Sequence, residues 1–145
     1  MTRLETLSPD LAGKLRRASA AKQRAAGLAA CEFAVSHAKV EHALVEKALE
    51  KVRAAGVLTP KEKAELDALA AQLDEEYFAL QEAAEEGRAS TEDYMGLFGQ
   101  ARAVAALAFA GGEDALQAAT EAIYEAAATT DDRQELAALI ESALQ

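Results

Sequence analysis

Apolar and small residues recur along this chain at intervals of three and four, the spacing that keeps side chains on one face of an α-helix. Between residues 60 and 86, Leu66, Leu69, Leu73, Tyr77, Leu80 and Ala84 step by 3, 4, 4, 3 and 4, a coiled-coil-like seam. Before them, Phe33, Val40, Leu44, Ala48 and Val52 mark a second stripe, broadened by Val45 and Leu49. Later faces run through Tyr94, Leu97, Phe98, Ala101, Val104, Ala105 and Ala108, then Leu116, Ile123, Tyr124 and Ala127, then Leu136, Leu139, Ile140 and Ala143.

Local chemistry sets the ends of these helices. Ser8-Pro9-Asp10 reads as N-cap, N1 and a favourable acidic first turn. Gly56 stands where a helix-ending glycine belongs. Thr59-Pro60-Lys61-Glu62 is a capping box, with Leu58 placed as a hydrophobic staple. The helix it starts should run to about Glu86 and stop at Gly87. Ser90-Thr91-Glu92-Asp93 is a weaker box for the next helix, which should end at Gly111-Gly112. A helix over 114–128 should follow, and Thr129 or Thr130 should cap a last one through Leu144. Residues 9–55 are too long for one ordinary helix. Gly27 costs about 1 kcal/mol against Ala inside a helix, so the expected division, or kink, falls there.

The four-residue turn at 56–59 separates two long amphipathic helices, and so short a link implies an antiparallel hairpin. The expected fold is therefore all-α: a long antiparallel helical hairpin with three to four shorter helices packed into a bundle. One domain should cover residues 1–145, with a basic N-terminal helix over 1–27, the hairpin over 28–86 and three shorter helices over 91–145. No solenoid-type repeat recurs at a fixed period.

Composition strengthens this picture. The chain has 145 residues, of which 38 are Ala, 8 Gly and 2 Pro, with no Trp. That balance favours helix and argues against a β-sandwich or barrel. The wealth of Ala relative to Lys points to a GC-rich bacterial genome. Cys31 is the single cysteine, so an internal disulfide is ruled out. Residues 1–10 lack the apolar core of a signal peptide. The longest uncharged run, 103–112, is too short to span a bilayer. A soluble, cytoplasmic protein with no membrane association is the expectation.

Charge changes the picture more. The formal net charge is −10, which discourages nucleic-acid binding. It is unevenly spread. Residues 1–30 hold six basic and two acidic residues, or +4, leaving −14 for the rest. The densest acidic stretch, Glu62 to Asp93, sets eleven carboxylates against Lys63 and Arg88. Within it, Asp74, Glu75, Glu76, Glu82, Glu85 and Glu86 are expected on an outer helical face. Such a face either keeps an Ala-rich bundle soluble or steers a basic partner.

Catalytic signatures are missing. There is no G-x-x-x-x-G-K-[ST], no G-x-G-x-x-G after a strand and no G-x-S-x-G, and no cofactor is expected. His37 and Glu41 stand at i, i+4 and are the candidate metal ligands. The preferred alternative puts His37 beside the seam with Glu41 solvated, because no second helix supplies a histidine and Glu-x-x-His is absent. Cys31 lies six residues from His37, about 240° round a helix, so the two do not form a nucleophilic pair and Cys31 reads as a buried thiol. Phe78 falls off the 66–84 seam; packing under the later helices is the preferred place for it, and exposure as an interface anchor the other. These features suit a non-enzymatic binding module with an acidic face, of inhibitor or immunity type for a basic protein partner. The alternatives are a structural homodimeric bundle and, behind it, a carboxylate/histidine metal bundle.

Overall fold

The computed structural model describes residues 2–89 and 91–145, without the side chains of residues 91–93. Among these residues the chain is all-α, with eight helices and no strand. Most helices begin on a side chain that accepts a free amide hydrogen of the first turn. Helix α1 (Arg3–Leu7) starts from Thr2, and α2 (Pro9–Arg17) from Ser8, whose hydroxyl accepts from the Leu11 amide at 3.4 Å. Helix α3 (Ala20–Ala38) starts from Ser19, and α4 (Ala43–Ala55) from His42, whose Nδ1 accepts from the Leu44 amide at 3.1 Å. Helix α5 (Pro60–Glu85) opens with the expected capping box: the Glu62 amide donates to Thr59 Oγ1 at 3.1 Å and the Thr59 amide to Glu62 Oε1 at 2.8 Å. Helix α6 spans Thr91–Ala110, α7 (Ala115–Ala127) begins at Asp114, and α8 (Arg133–Leu144) at Asp132. The second expected box, at Ser90 to Asp93, lies outside the described residues.

Residues 9–55 divide differently from the expectation at Gly27. They form three helices, broken at Ala18-Ser19 and again over residues 39–42. Gly27 sits within α3, where a Cβ would stand 3.3 Å from Ala119 Cα of α7. Its missing side chain lets two helices approach closely, and that packing outweighs its poor helix propensity. The second break comes at Lys39, whose left-handed φ of 57° turns the chain out of α3. The last helix also starts later than expected. Asp132 is the cap, and Thr130 instead accepts from the Asp132 amide at 2.9 Å.

Helix α6 is central. It packs on α5, α7, α3 and α4, while α3 packs in addition on α7 and α8, and α1 and α2 close over α7. The shared core is rich in Ala, with Leu15, Cys31, Val45, Leu66, Val104, Leu107, Ile123 and Ile140 as its larger fully buried members. The long antiparallel hairpin is present, but its arms are α5 and α6 rather than the helices flanking the 56–59 turn. The Leu58 amide donates to the Gly111 carbonyl at 2.9 Å, Asp74 meets Arg102, and Tyr77 meets Phe98 and Tyr94. One residue number rises as the other falls, so the helices are antiparallel. The 56–59 turn is fastened elsewhere. Gly56 takes the left-handed conformation, φ 80°, and the Arg24 guanidinium donates to the carbonyls of Gly56, Gly112 and Glu113. That places a cation on the C-terminal end of α6, where the helix dipole is negative. The α4–α5 junction is thereby pinned to α6, and α4 packs across α6 and α3 as well as α5.

The two ends of the hairpin have different surroundings. In α5 the buried residues are Leu66 and Ala70, both in its first half. In α6, seven of the ten positions from Ala101 to Ala110 are buried, whereas none of the described side chains from Tyr94 to Gln100 is. The last fifteen residues of α5 thus extend about 22 Å, at 1.5 Å per residue, past the last buried side chain. They form an arm with the first half of α6. Among the described residues, no helix is long and apolar enough to cross a membrane.

Candidate functional site

The arm holds the acidic residues singled out in the sequence, but the fold uses them unequally. Asp74 is half-buried and accepts from Arg102 Nη2 at 2.7 Å. Glu86 is paired with Arg88, and Glu76 accepts from Gln72 Nε2 at 3.4 Å. Glu75, Glu82 and Glu85 are exposed, with no cation within 4.0 Å among the described residues. Helical spacing puts Glu75 and Glu82 on one stripe, seven residues apart, with Glu85 one turn beyond Glu82. Glu76 is about 200° round the helix from Asp74 and faces the opposite flank.

Phe78 lies within this stripe and corrects the expectation that it is core. It is 62% exposed, three residues from Glu75 and four from both Asp74 and Glu82. Its ring meets the edge of Tyr77 at 5.1 Å, and Tyr77 in turn meets Tyr94 and Phe98, each at 5.5 Å. This aromatic cluster holds α5 and α6 together where the rest of the fold does not reach. Met95, absent from the stripes read in the sequence, is 51% exposed. Phe78's departure from the 66–84 seam was the visible sign of its position; nothing in the periodicity marked Met95.

At the base of the arm lies a charge network. Glu125, on α7 and only 4% exposed, accepts from Arg102 Nη1 at 3.0 Å and from Arg3 Nη2 at 3.3 Å. Arg3 also binds Glu121 and lies over the Tyr124 ring at 4.2 Å. Its pKa is raised, chiefly by the hydrogen bond to Glu121. Buried carboxylates need such partners to stay charged. The network joins α1, α5, α6 and α7 and uses up basic residues that the sequence alone left free.

Other N-terminal cations are spent in the same way. Lys14 binds Glu141 of α8 at 2.8 Å and Asp10 at 3.3 Å, which raise its pKa. Arg16 binds Glu5 at 3.0 Å, and Arg24 holds the α6 carbonyls. A shallow cleft between α2, α3 and α8 is lined by Lys14, Arg17, Lys22, Glu141 and Gln145.

His37 and Glu41 are separated by the end of α3. The i, i+4 register that would have brought them to one face is broken at Lys39. The exposed His37 ring stacks on Phe33, 5.4 Å between centroids and 9° from parallel. Glu41 precedes the His42 cap and lines an open cleft between α3 and α4 with Glu32, Lys39 and Arg53. Among the described residues there is no group of three or more His, Cys, Asp or Glu side chains arranged to hold a metal ion. Cys31 is fully buried, its thiol donates to the Leu28 carbonyl, and burial pushes its pKa up to about 12. Such a thiol does not ionise at neutral pH and is a poor nucleophile.

No protein-family model, curated protein or solved structure compared with this chain matches it. The site must therefore be read from its own chemistry.

Proposed function

We propose that this protein is a non-enzymatic binding module whose acidic arm engages a basic partner protein, in the manner of an inhibitor or immunity-type protein. One observation carries the reading. Three of the six cations of residues 1–30, Arg3, Lys14 and Arg16, are paired with carboxylates of the fold and Arg24 with backbone carbonyls, while Glu75, Glu82 and Glu85 project from the arm without a cation beside them. Carboxylates left in this way raise the negative potential of a surface and speed encounter with a cationic protein.

The test compares the protein with a Glu75→Gln/Glu82→Gln/Glu85→Gln variant in capture from source lysate, at low and high salt. A basic protein retained by the first at low salt, released at high salt and lost by the variant supports the reading. Identical capture profiles for the two proteins, or no basic protein in either, would overturn it.

A further inference from the structure

We infer that the flank of the arm carrying Phe78 and Met95 is the docking site for a cationic amphipathic helix of the partner. This inference rests on the acidic-arm reading above and names the element that the arm receives. Three observations converge on it. The first is geometric. The Asp74–Arg102 bridge marks one flank of the hairpin. Phe78 is one turn beyond Asp74 on α5, and Met95 is two turns from Arg102 toward the tip of α6, so both return to that flank. Both are exposed, and the Phe78 ring meets the edge of Tyr77, whose ring in turn meets that of Tyr94, the residue before Met95.

The second concerns what covers this flank elsewhere. Arg102 reaches from Asp74 across to Glu125 near the C-terminal end of α7. Helix α7 runs beside α6 as far as that bridge, packed on α6 and α3. The chain then turns away into α8, which packs on α3, α2 and α7 and leaves Phe78 and Met95 on the arm exposed. A partner helix lying on the arm beyond the end of α7 would pack its apolar stripe on Phe78 and Met95.

The third is electrostatic and selects the occupant. The apolar pair is bordered by Glu75, Glu82 and Glu85, in a stretch from Glu62 to Asp93 with eleven carboxylates and two cations. A second copy of the arm would bring like charge against like charge. Lys or Arg flanking an apolar stripe would meet these carboxylates at the rim while the stripe covers the centre, the usual layout of an interface.

The test uses three dye-labelled synthetic peptides of about eighteen residues, long enough to match the ~22 Å arm as a helix, with fluorescence anisotropy as the readout. One is an amphipathic Leu/Lys helix, one a Lys homopolymer and one a Leu/Glu helix. The Leu/Lys helix should bind at least about ten-fold more tightly than the homopolymer, and Phe78→Ser/Met95→Ser should remove that advantage. Both side chains are largely exposed, so the variant folds, and its melting curve checks this. If Phe78→Ser/Met95→Ser binds like the wild type while Glu75→Gln/Glu82→Gln/Glu85→Gln binds more weakly, the docking site is wrong and the acidic-arm reading stands. If neither variant changes binding, both fall. Tight binding of the Leu/Glu helix overturns the choice of a cationic occupant. So does self-association in sedimentation that is lost in Phe78→Ser/Met95→Ser, which would make a second copy the occupant.

Discussion

The basic N-terminal helices and the acidic arm carry opposite charge, yet the larger difference between them is how the fold treats that charge. Arg3, Lys14, Arg16 and Arg24 each find a carboxylate or a set of carbonyls within the fold. The arm leaves Glu75, Glu82 and Glu85 facing solvent around an exposed Phe78. Charges fastened across helices specify the packing of the core half. Charges left open cost little in water and remain available to a partner. Internal pairing leaves the net charge of −10 unchanged, because each ion pair cancels one charge of each sign, and the unmatched excess is carried by carboxylates such as these.

The contrast can be broken most strongly within one helix. Leu66→Ala, at the buried base of α5, should cost about 2–5 kcal/mol, whereas Leu80→Ala, half-buried on the arm, should cost about 1 kcal/mol or less. Chemical denaturation measures both, and equal losses would mean that the arm is as integral as the base. Next in size is Arg24→Ala, which strips the α6 carbonyls and the α4–α5 junction of a charged donor. A loss of about 2 kcal/mol is expected, with hydrogen exchange quickening at Gly111 and Leu58. An unchanged denaturation midpoint would show that the junction holds without it.

Acid titration probes a smaller effect at the root of the hairpin. The hydrogen bond from Lys51, helped by the Thr59 amide and hydroxyl, lowers the Glu62 pKa from 4.5 to about 2. A carboxylate with a depressed native pKa stabilises the fold above its unfolded pKa, and that contribution is lost as pH falls through the native value. Stability should therefore decline between pH 4.5 and about 2, and Glu62→Gln should remove that part of the slope. A variant with the same acid profile as the wild type would assign the decline to other groups. The smallest change is expected for Glu75→Gln/Glu82→Gln/Glu85→Gln, whose stability should stay within about 0.5 kcal/mol of the wild type. A larger loss in thermal or chemical melts would show that these carboxylates serve the fold rather than a partner.

Much of the local structure was legible in the residues themselves. Ser8-Pro9, the Thr59–Glu62 box, and the glycines at 56 and 87 act through neighbours a few positions away, so their chemistry is complete within a short window. The all-α class and the α5 seam followed from periodicity for the same reason. Other features depended on residues distant in the chain. Gly27 remains in a helix because Ala119 approaches it, and Arg3 is committed because Glu121 and Glu125 lie beneath it.

The break at Lys39, which separates His37 from Glu41, and the pairing of α5 with α6 rather than α4 were likewise settled in three dimensions. Periodicity says which face of a helix is apolar but not which helix will cover it. For Leu66 the covering is complete, for Tyr77 it comes mainly from α6, and Phe78, against Tyr77, is left mostly exposed. Sequence by itself determined the helical class, most of the helix ends after residue 55 and the sign of the charge along the chain. Tertiary structure decided which charges are matched and which apolar side chains stay uncovered, because both depend on distances between helices that no local pattern encodes.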